Sequence, residues 1–83
     1  MNHAKSIVEF LARALVDEPE LVRVTETEHH GTTVLELFVA AGDLGRVIGR
    51  QGRTAAALRT LVAAAAEHDG RKVTLEIREG HAP

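Results

Sequence analysis

Gly45-Arg46-Val47-Ile48-Gly49-Arg50-Gln51-Gly52-Arg53-Thr54 places three glycines and three arginines within ten residues, with no acidic side chain among them. Leu44, Val47 and Ile48 form a short apolar stripe that stops at Gly49. Beyond the loop, Thr54–Glu67 is dominated by alanine and leucine, the strongest helix formers. The stretch therefore predicts one helical turn, a tight loop and the start of a second helix. Glycine at each end of Gly49-Arg50-Gln51-Gly52 permits positive φ and a close approach of backbone to a ligand. The first-turn N–H groups of the following helix, with its positive dipole end, favour an anion there. Arg46, Arg50 and Arg53 add cationic reach. The expectation is a phosphate-backbone grip made by exposed main-chain amides between residues 49 and 54.

The rest of the chain sets the scale of that grip. Eighty-three residues suffice for one modest core, so a single domain is expected over 1–83, ordered from about residue 3 to residue 79. The absence of cysteine excludes disulfides and cysteine-based zinc sites and fits a reducing, cytoplasmic setting. The N-terminal residues lack the apolar run of a signal peptide, and no stretch has the length of a membrane span. The net charge of −2 hides an asymmetry. Residues 1–43 carry three basic and eight acidic side chains, and residues 44–83 carry seven basic and four acidic. Positive potential is thus concentrated around the glycine loop.

Taken in order, Ile7, Leu11, Ala14 and Leu15 recur at helical spacing with Phe10 beside them, predicting an amphipathic helix over 3–16. Pro19 ends it. Leu21–Glu28 alternates, with Val22 and Val24 on one face. His29-His30-Gly31 marks a turn, the two imidazoles pointing apart. Thr33–Ala40 returns as a strand with Leu35, Leu37 and Val39 inward. Asp43 suits the N-cap of the short helix. The longer helix is expected to bury Leu58, Leu61, Val62 and Ala65, and Asp69-Gly70 to stop it. Arg71–Arg78 forms the last strand, with Val73, Leu75 and Ile77 inward. The fold class is α+β in the order α-β-β-α-α-β. The hairpin is antiparallel, and the helical crossover makes the last two strands parallel. A three-stranded mixed sheet results, with three helices packed on one face and a polar, wet opposite face.

Asp43-Leu44-Gly45-Arg46-Val47-Ile48-Gly49-Arg50-Gln51-Gly52-Arg53-Thr54 resembles the Ile-Gly-x-x-Gly signature of the KH domain. The element order resembles the bacterial type II form, and the chain is most similar to the small single-domain KH proteins of the KhpA type. The likeness spans residues 3–79 and is sharpest from Asp43 to Val62. It implies binding of single-stranded RNA, with the loop clamping about four nucleotides. Under that resemblance Gly49 and Gly52 admit the phosphates, and Arg50 and Gln51 are the variable loop positions. Leu44 and Ile48 form an apolar wall under the bases, facing the last strand near Leu75. Arg46, Arg53 and Arg59 become secondary phosphate contacts. The resemblance also implies a homodimer or a heterodimer with another KH-containing protein, and a cytoplasmic role as RNA chaperone or post-transcriptional regulator.

Plainer readings stand beside these. Arg46 and Arg59 equally suit a solvated helix face. Leu44 and Ile48 also suit the core, and Ala63–Ala66 suits either helix propensity or a flat face for a second subunit. A Walker loop ending at Thr54 needs glycine at 47 and lysine at 53, where the chain has Val47 and Arg53. The dinucleotide fingerprint also demands glycine at 47. Ser6 is the only serine, so no Ser-His-Asp set is available, and no metal or other cofactor is implied. Tryptophan and tyrosine are absent, so base stacking on their rings is excluded. The reading is a non-catalytic RNA-binding module; the alternative is a dimeric protein-interaction adaptor with little RNA binding.

Overall fold

Asn2 starts the first helix by accepting the Lys5 N–H through its side-chain oxygen at 3.1 Å. The computed structural model describes residues 2–83. It places α1 at His3–Leu15, β1 at Arg23–His29, β2 at Thr32–Val39, α2 at Leu44–Ile48, α3 at Arg53–His68 and β3 at Val73–Glu79. Single 3-10 turns occupy Pro19–Leu21, Ala41–Asp43 and Arg50–Gly52. The expected α-β-β-α-α-β order is observed.

The hairpin closes tightly because His30 and Gly31 both take positive φ, 50° and 79°, which matches the twist of the flanking strands. Its ladder runs from His29 opposite Thr32 to Arg23 opposite Phe38. The His29 and His30 rings meet edge-on with centroids 4.3 Å apart, rather than pointing apart as expected. β2 then pairs in parallel with β3, from Thr33 opposite Val73 to Val39 opposite Glu79. The sheet order is β1-β2-β3, which leaves one side of β3 uncovered by any strand.

Leu35, Leu37 and Val39 are fully buried on the inner face, with Val22 and Leu75 beside them. The helices meet that face differently from the expected stripes. α1 buries Ala4, Val8 and Ala12, while Ala14 and Leu15 are exposed. α3 buries Ala55, Leu58, Val62 and Ala66, while Leu61 is exposed. Alanine at these positions removes bulk between the helices and the sheet, so the backbones close up and the larger neighbours rotate outward. Phe10 is consequently 72% exposed and Leu61 47% exposed. On the outer sheet face Arg78 Nε donates to Glu36 at 2.9 Å, as a wet face predicts. Phe38 departs from that pattern. It is buried between Arg23 and Arg78 on the neighbouring strands, a residue type whose methylene stem shields apolar surface.

Two polar ties close the ends of the fold. His3 Nδ1 lies 2.7 Å from Asp69 Oδ1, joining the start of α1 to the end of α3. That hydrogen bond holds the Asp69 carboxyl below the usual carboxylate range. Arg71 reaches Glu26 at 3.1 Å and donates to the Thr33 hydroxyl at 2.9 Å, joining β3's leading loop to the hairpin.

Asp43 does not serve as the side-chain cap of α2. Its carboxylate turns back, is buried, and accepts the main-chain N–H groups of Asp17 and Glu18 at 3.1 and 3.0 Å. Those amides lie where α1 has ended and no helix supplies a carbonyl, so the carboxylate satisfies them. Replacing Asp43 with alanine leaves both donors without their acceptor. Asp43→Ala is expected to lower unfolding free energy by about 2–4 kcal/mol, read from urea denaturation.

Candidate functional site

The five-residue α2 ends because Gly49 adopts φ 75° and ψ 173°, backbone angles essentially reserved for glycine. A Cβ on Gly49 would stand 2.7 Å from Thr54 Cβ and 3.0 Å from Thr54 N, and would collide with the Thr54 hydroxyl. Gln51 at φ 56° and Gly52 at φ 74° then turn the chain through two left-handed positions into α3. A Cβ on Gly52 would meet open space, so only its backbone angles favour glycine.

The loop spends more of its own amides than the sequence suggests. Gly49 N donates to Gly45 O at 2.9 Å, and Gly52 N donates to Gly49 O at 3.1 Å. Arg53 N donates to Arg50 O. The expectation that the amides from 49 to 54 stand free is therefore corrected for these three residues, whose bonds are what makes the turn tight. What the loop presents outward is its tip, Arg50 and Gln51, both exposed, at the N-terminal end of the 16-residue α3.

The predicted side chains divide into groups. Arg50 has no hydrogen-bonding or ionic partner among the described residues, and its charge faces solvent. Arg53 Nη2 donates to Gln51 Oε1 at 2.9 Å, holding amide and guanidinium together beside the tip. Arg46 is drawn the other way, to Asp17 Oδ2 at 2.9 Å and Asp43 Oδ1 at 3.4 Å. Its guanidinium is half-exposed and shared with these two carboxylates. Arg59, on the next turns of α3, donates from Nε to the main-chain oxygen of Leu75 at 3.2 Å. Leu44 and Ile48 are half-buried, and Leu44 packs against the core cluster. α2 touches β3, so this apolar edge lies toward the last strand.

Sequence reasoning missed Thr54 and Asp17. Thr54 fixes the identity of residue 49 by filling the space beside it, and nothing in a residue pattern signals a contact made five positions later through a kink. Asp17 stands two residues before Pro19, where no pattern marks it as a partner of Arg46. No group of three metal-ligating side chains is assembled among the described residues.

Two glycines with the same sign of φ should therefore respond differently. Gly49→Ala is expected to cost about 2–5 kcal/mol of unfolding free energy, because strain and collision add. Gly52→Ala is expected to cost about 1 kcal/mol, from backbone strain alone. Thermal or urea unfolding of the two variants side by side checks this, and equal losses would contradict the collision with Thr54.

Comparison with known proteins supplies the remaining observation. The family model described as KhpA/KhpB, KH domain, matches residues 5–77. The RNA-binding protein KhpA of Aquifex aeolicus is 51% identical over 79 residues, covering 95% of this chain and 100% of that protein. RNA-binding protein KhpA of Clostridium perfringens is 49% identical over 73 residues, covering 88% of this chain and 97% of that protein. Among solved structures, Era in complex with MgGDPNP and nucleotides 1506–1542 of 16S ribosomal RNA superposes with a TM-score of 0.65 at 24% identity. That likeness covers 96% of this chain and 30% of the Era chain, and at this identity it speaks to fold alone.

Proposed function

Because the chain belongs to the KhpA/KhpB family of KH domains, we propose that it binds single-stranded RNA without catalysing a reaction. The chain acts as one type II KH unit, in the cytoplasm, as an RNA chaperone or post-transcriptional regulator. No helix among the described residues is long and apolar enough to cross a membrane.

The observation that carries the reading is the loop. Gly49 at φ 75° and Gly52 at φ 74° lift Arg50 and Gln51 clear of the domain at the start of α3. An unpaired strand entering there meets the Arg50 charge, the coupled Gln51–Arg53 pair and the positive end of a helix, all suited to phosphate oxygens. Its bases turn toward the apolar edge of Leu44 and Ile48. With neither tryptophan nor tyrosine in the chain, contact with bases is aliphatic and polar rather than stacked on those rings, so affinity from one domain is modest and mainly electrostatic.

The loop tip offers the cleanest test, since its side chains are exposed and outside the core. Arg50→Asp with Gln51→Asp is expected to weaken binding of a short single-stranded RNA at least about tenfold while leaving the unfolding midpoint in place. The wild-type salt dependence should have a slope of about −0.7 per phosphate neutralised. Binding by the double variant equal to wild type would overturn the site.

A protein partner is the second part of the proposal, and a separate observation favours it. Phe10 and Leu61 stay exposed together beside Ile7 and Leu11, lining an apolar hollow of about 430 Å³ between α1 and α3. We assign this face to a second KH subunit, either another copy or a different KH-containing chain. Phe10→Glu and Leu61→Glu should shift the wild-type oligomer toward monomer in sedimentation equilibrium without loss of fold. Unchanged association would rule the face out.

A further inference from the structure

We propose that Arg59 and Glu76 together form a guanine-reading pocket, so that the chain prefers single-stranded RNA carrying guanine beside the loop. The inference rests on the RNA reading above and goes past it, because Arg59 then reads a base rather than a phosphate.

The argument begins with how Arg59 is held. A phosphate-seeking arginine on a helix is free to swing. This one is fixed, its Nε donating to Leu75 O at 3.2 Å on the side of β3 that no strand covers. With Nε engaged, the two terminal Nη groups of the planar fork remain, and no other acceptor takes them among the described residues. A guanidinium presented in a fixed plane suits bidentate donation to two adjacent acceptors. Lysine, a rotating point charge, does not.

The surroundings complete the pattern. Arg59, Val62, Val73, Leu75 and Glu76 line a hollow of about 270 Å³ between α3 and the open edge of β3. The valines and Leu75 give it apolar walls suited to the face of a flat ring. Glu76 is exposed, and no ion pair or side-chain hydrogen bond engages it among the described residues. Its neighbour in register, Glu36, is by contrast held by Arg78 at 2.9 Å. The hollow therefore offers the free fork of Arg59, and the Glu76 carboxylate, on the outward face shared with Glu36, stands at its rim.

Guanine matches both. It carries the adjacent acceptors O6 and N7, the preferred partners of an arginine fork, and the adjacent donors N1–H and N2–H on its other edge. Adenine and cytosine each carry one exocyclic amino donor and lack the paired O6/N7 acceptors, and uracil has a single N–H. The place is also right. Arg59 lies six residues into α3 from Arg53, about 9 Å along the helix axis. A strand clamped by the loop over about four nucleotides spans that distance.

The test uses the full chain and four labelled oligouridylates that differ at one position: uridine, guanosine, 7-deazaguanosine or inosine. Wild type is expected to hold the guanosine oligonucleotide about tenfold tighter than the uridine one. 7-Deazaguanosine, which lacks N7, and inosine, which lacks the N2 amino group, should each lose most of that gain. Arg59→Lys should weaken guanosine far more than uridine, bringing the two within about twofold, and Glu76→Gln should abolish the difference between guanosine and inosine. Equal weakening of all four by Arg59→Lys would make Arg59 a phosphate contact and overturn the proposal. Equal binding of all four by wild type would also overturn it, with the RNA reading intact. If wild type holds none of them, the RNA reading fails and this assignment falls with it.

Discussion

The structure turns on a place where a side chain has no room. Gly49 sits so close to Thr54 that a Cβ there would stand 2.7 Å from the threonine Cβ, and its backbone angles admit glycine alone. That closeness lets a five-residue helix end directly against the start of a 16-residue one. The two helices with their loop make the crossover that parallel pairing of β2 with β3 requires. A bulkier residue would push α3 away from α2, and α3 is the element that covers the inner face of the sheet through Leu58 and Val62. The feature that exposes the loop tip and the feature that closes the core are thus one contact.

The charges follow from the same arrangement. The chain is net acidic at −2, yet its loop presents unmatched positive charge. Of the arginines near the loop, Arg46 is matched by Asp17 and Asp43, and Arg59 is fixed on a carbonyl. Arg50 and Arg53 remain at the tip. Asp43 has a hand in both outcomes, since it fastens the end of α1 through two main-chain amides and draws Arg46 toward the same spot. The acidic first half therefore ties one arginine to the end of α1 while the loop's own cations stay outward.

Element order, the hairpin, the parallel pairing and the glycine loop were legible because each rests on local chemistry: alternation, turn residues, and glycines bracketing a polar pair. The faces of the helices were less so. Hydrophobic spacing pointed to Leu15 and Leu61 as core, yet alanines occupy the closest contacts and the larger side chains face out. Spacing records which residues are apolar, but the distance between packed backbones decides which of two adjacent apolar stripes goes inside. Long-range polar ties were equally hidden. Asp43 looked like a helix cap and instead holds amides 25 and 26 residues away, and Phe38 is buried on a face that alternation marked as wet.

The outward rotation of those apolar side chains has a geometric consequence. On an α-helix, residues two apart lie about 200° apart around the axis, so Arg59 and Leu61 occupy opposite sides of α3. Arg59 borders the edge of β3, and Leu61 borders Phe10 on α1. A partner seated on the Phe10–Leu61 side therefore does not cover the hollow beside β3. Joining two such domains raises the effective concentration of the second loop for a strand already held by the first, without any new contact to the strand. A domain whose proposed grip is electrostatic and free of tryptophan and tyrosine would gain from that doubling, and the single helix α3 carries Arg59 and Leu61 at once.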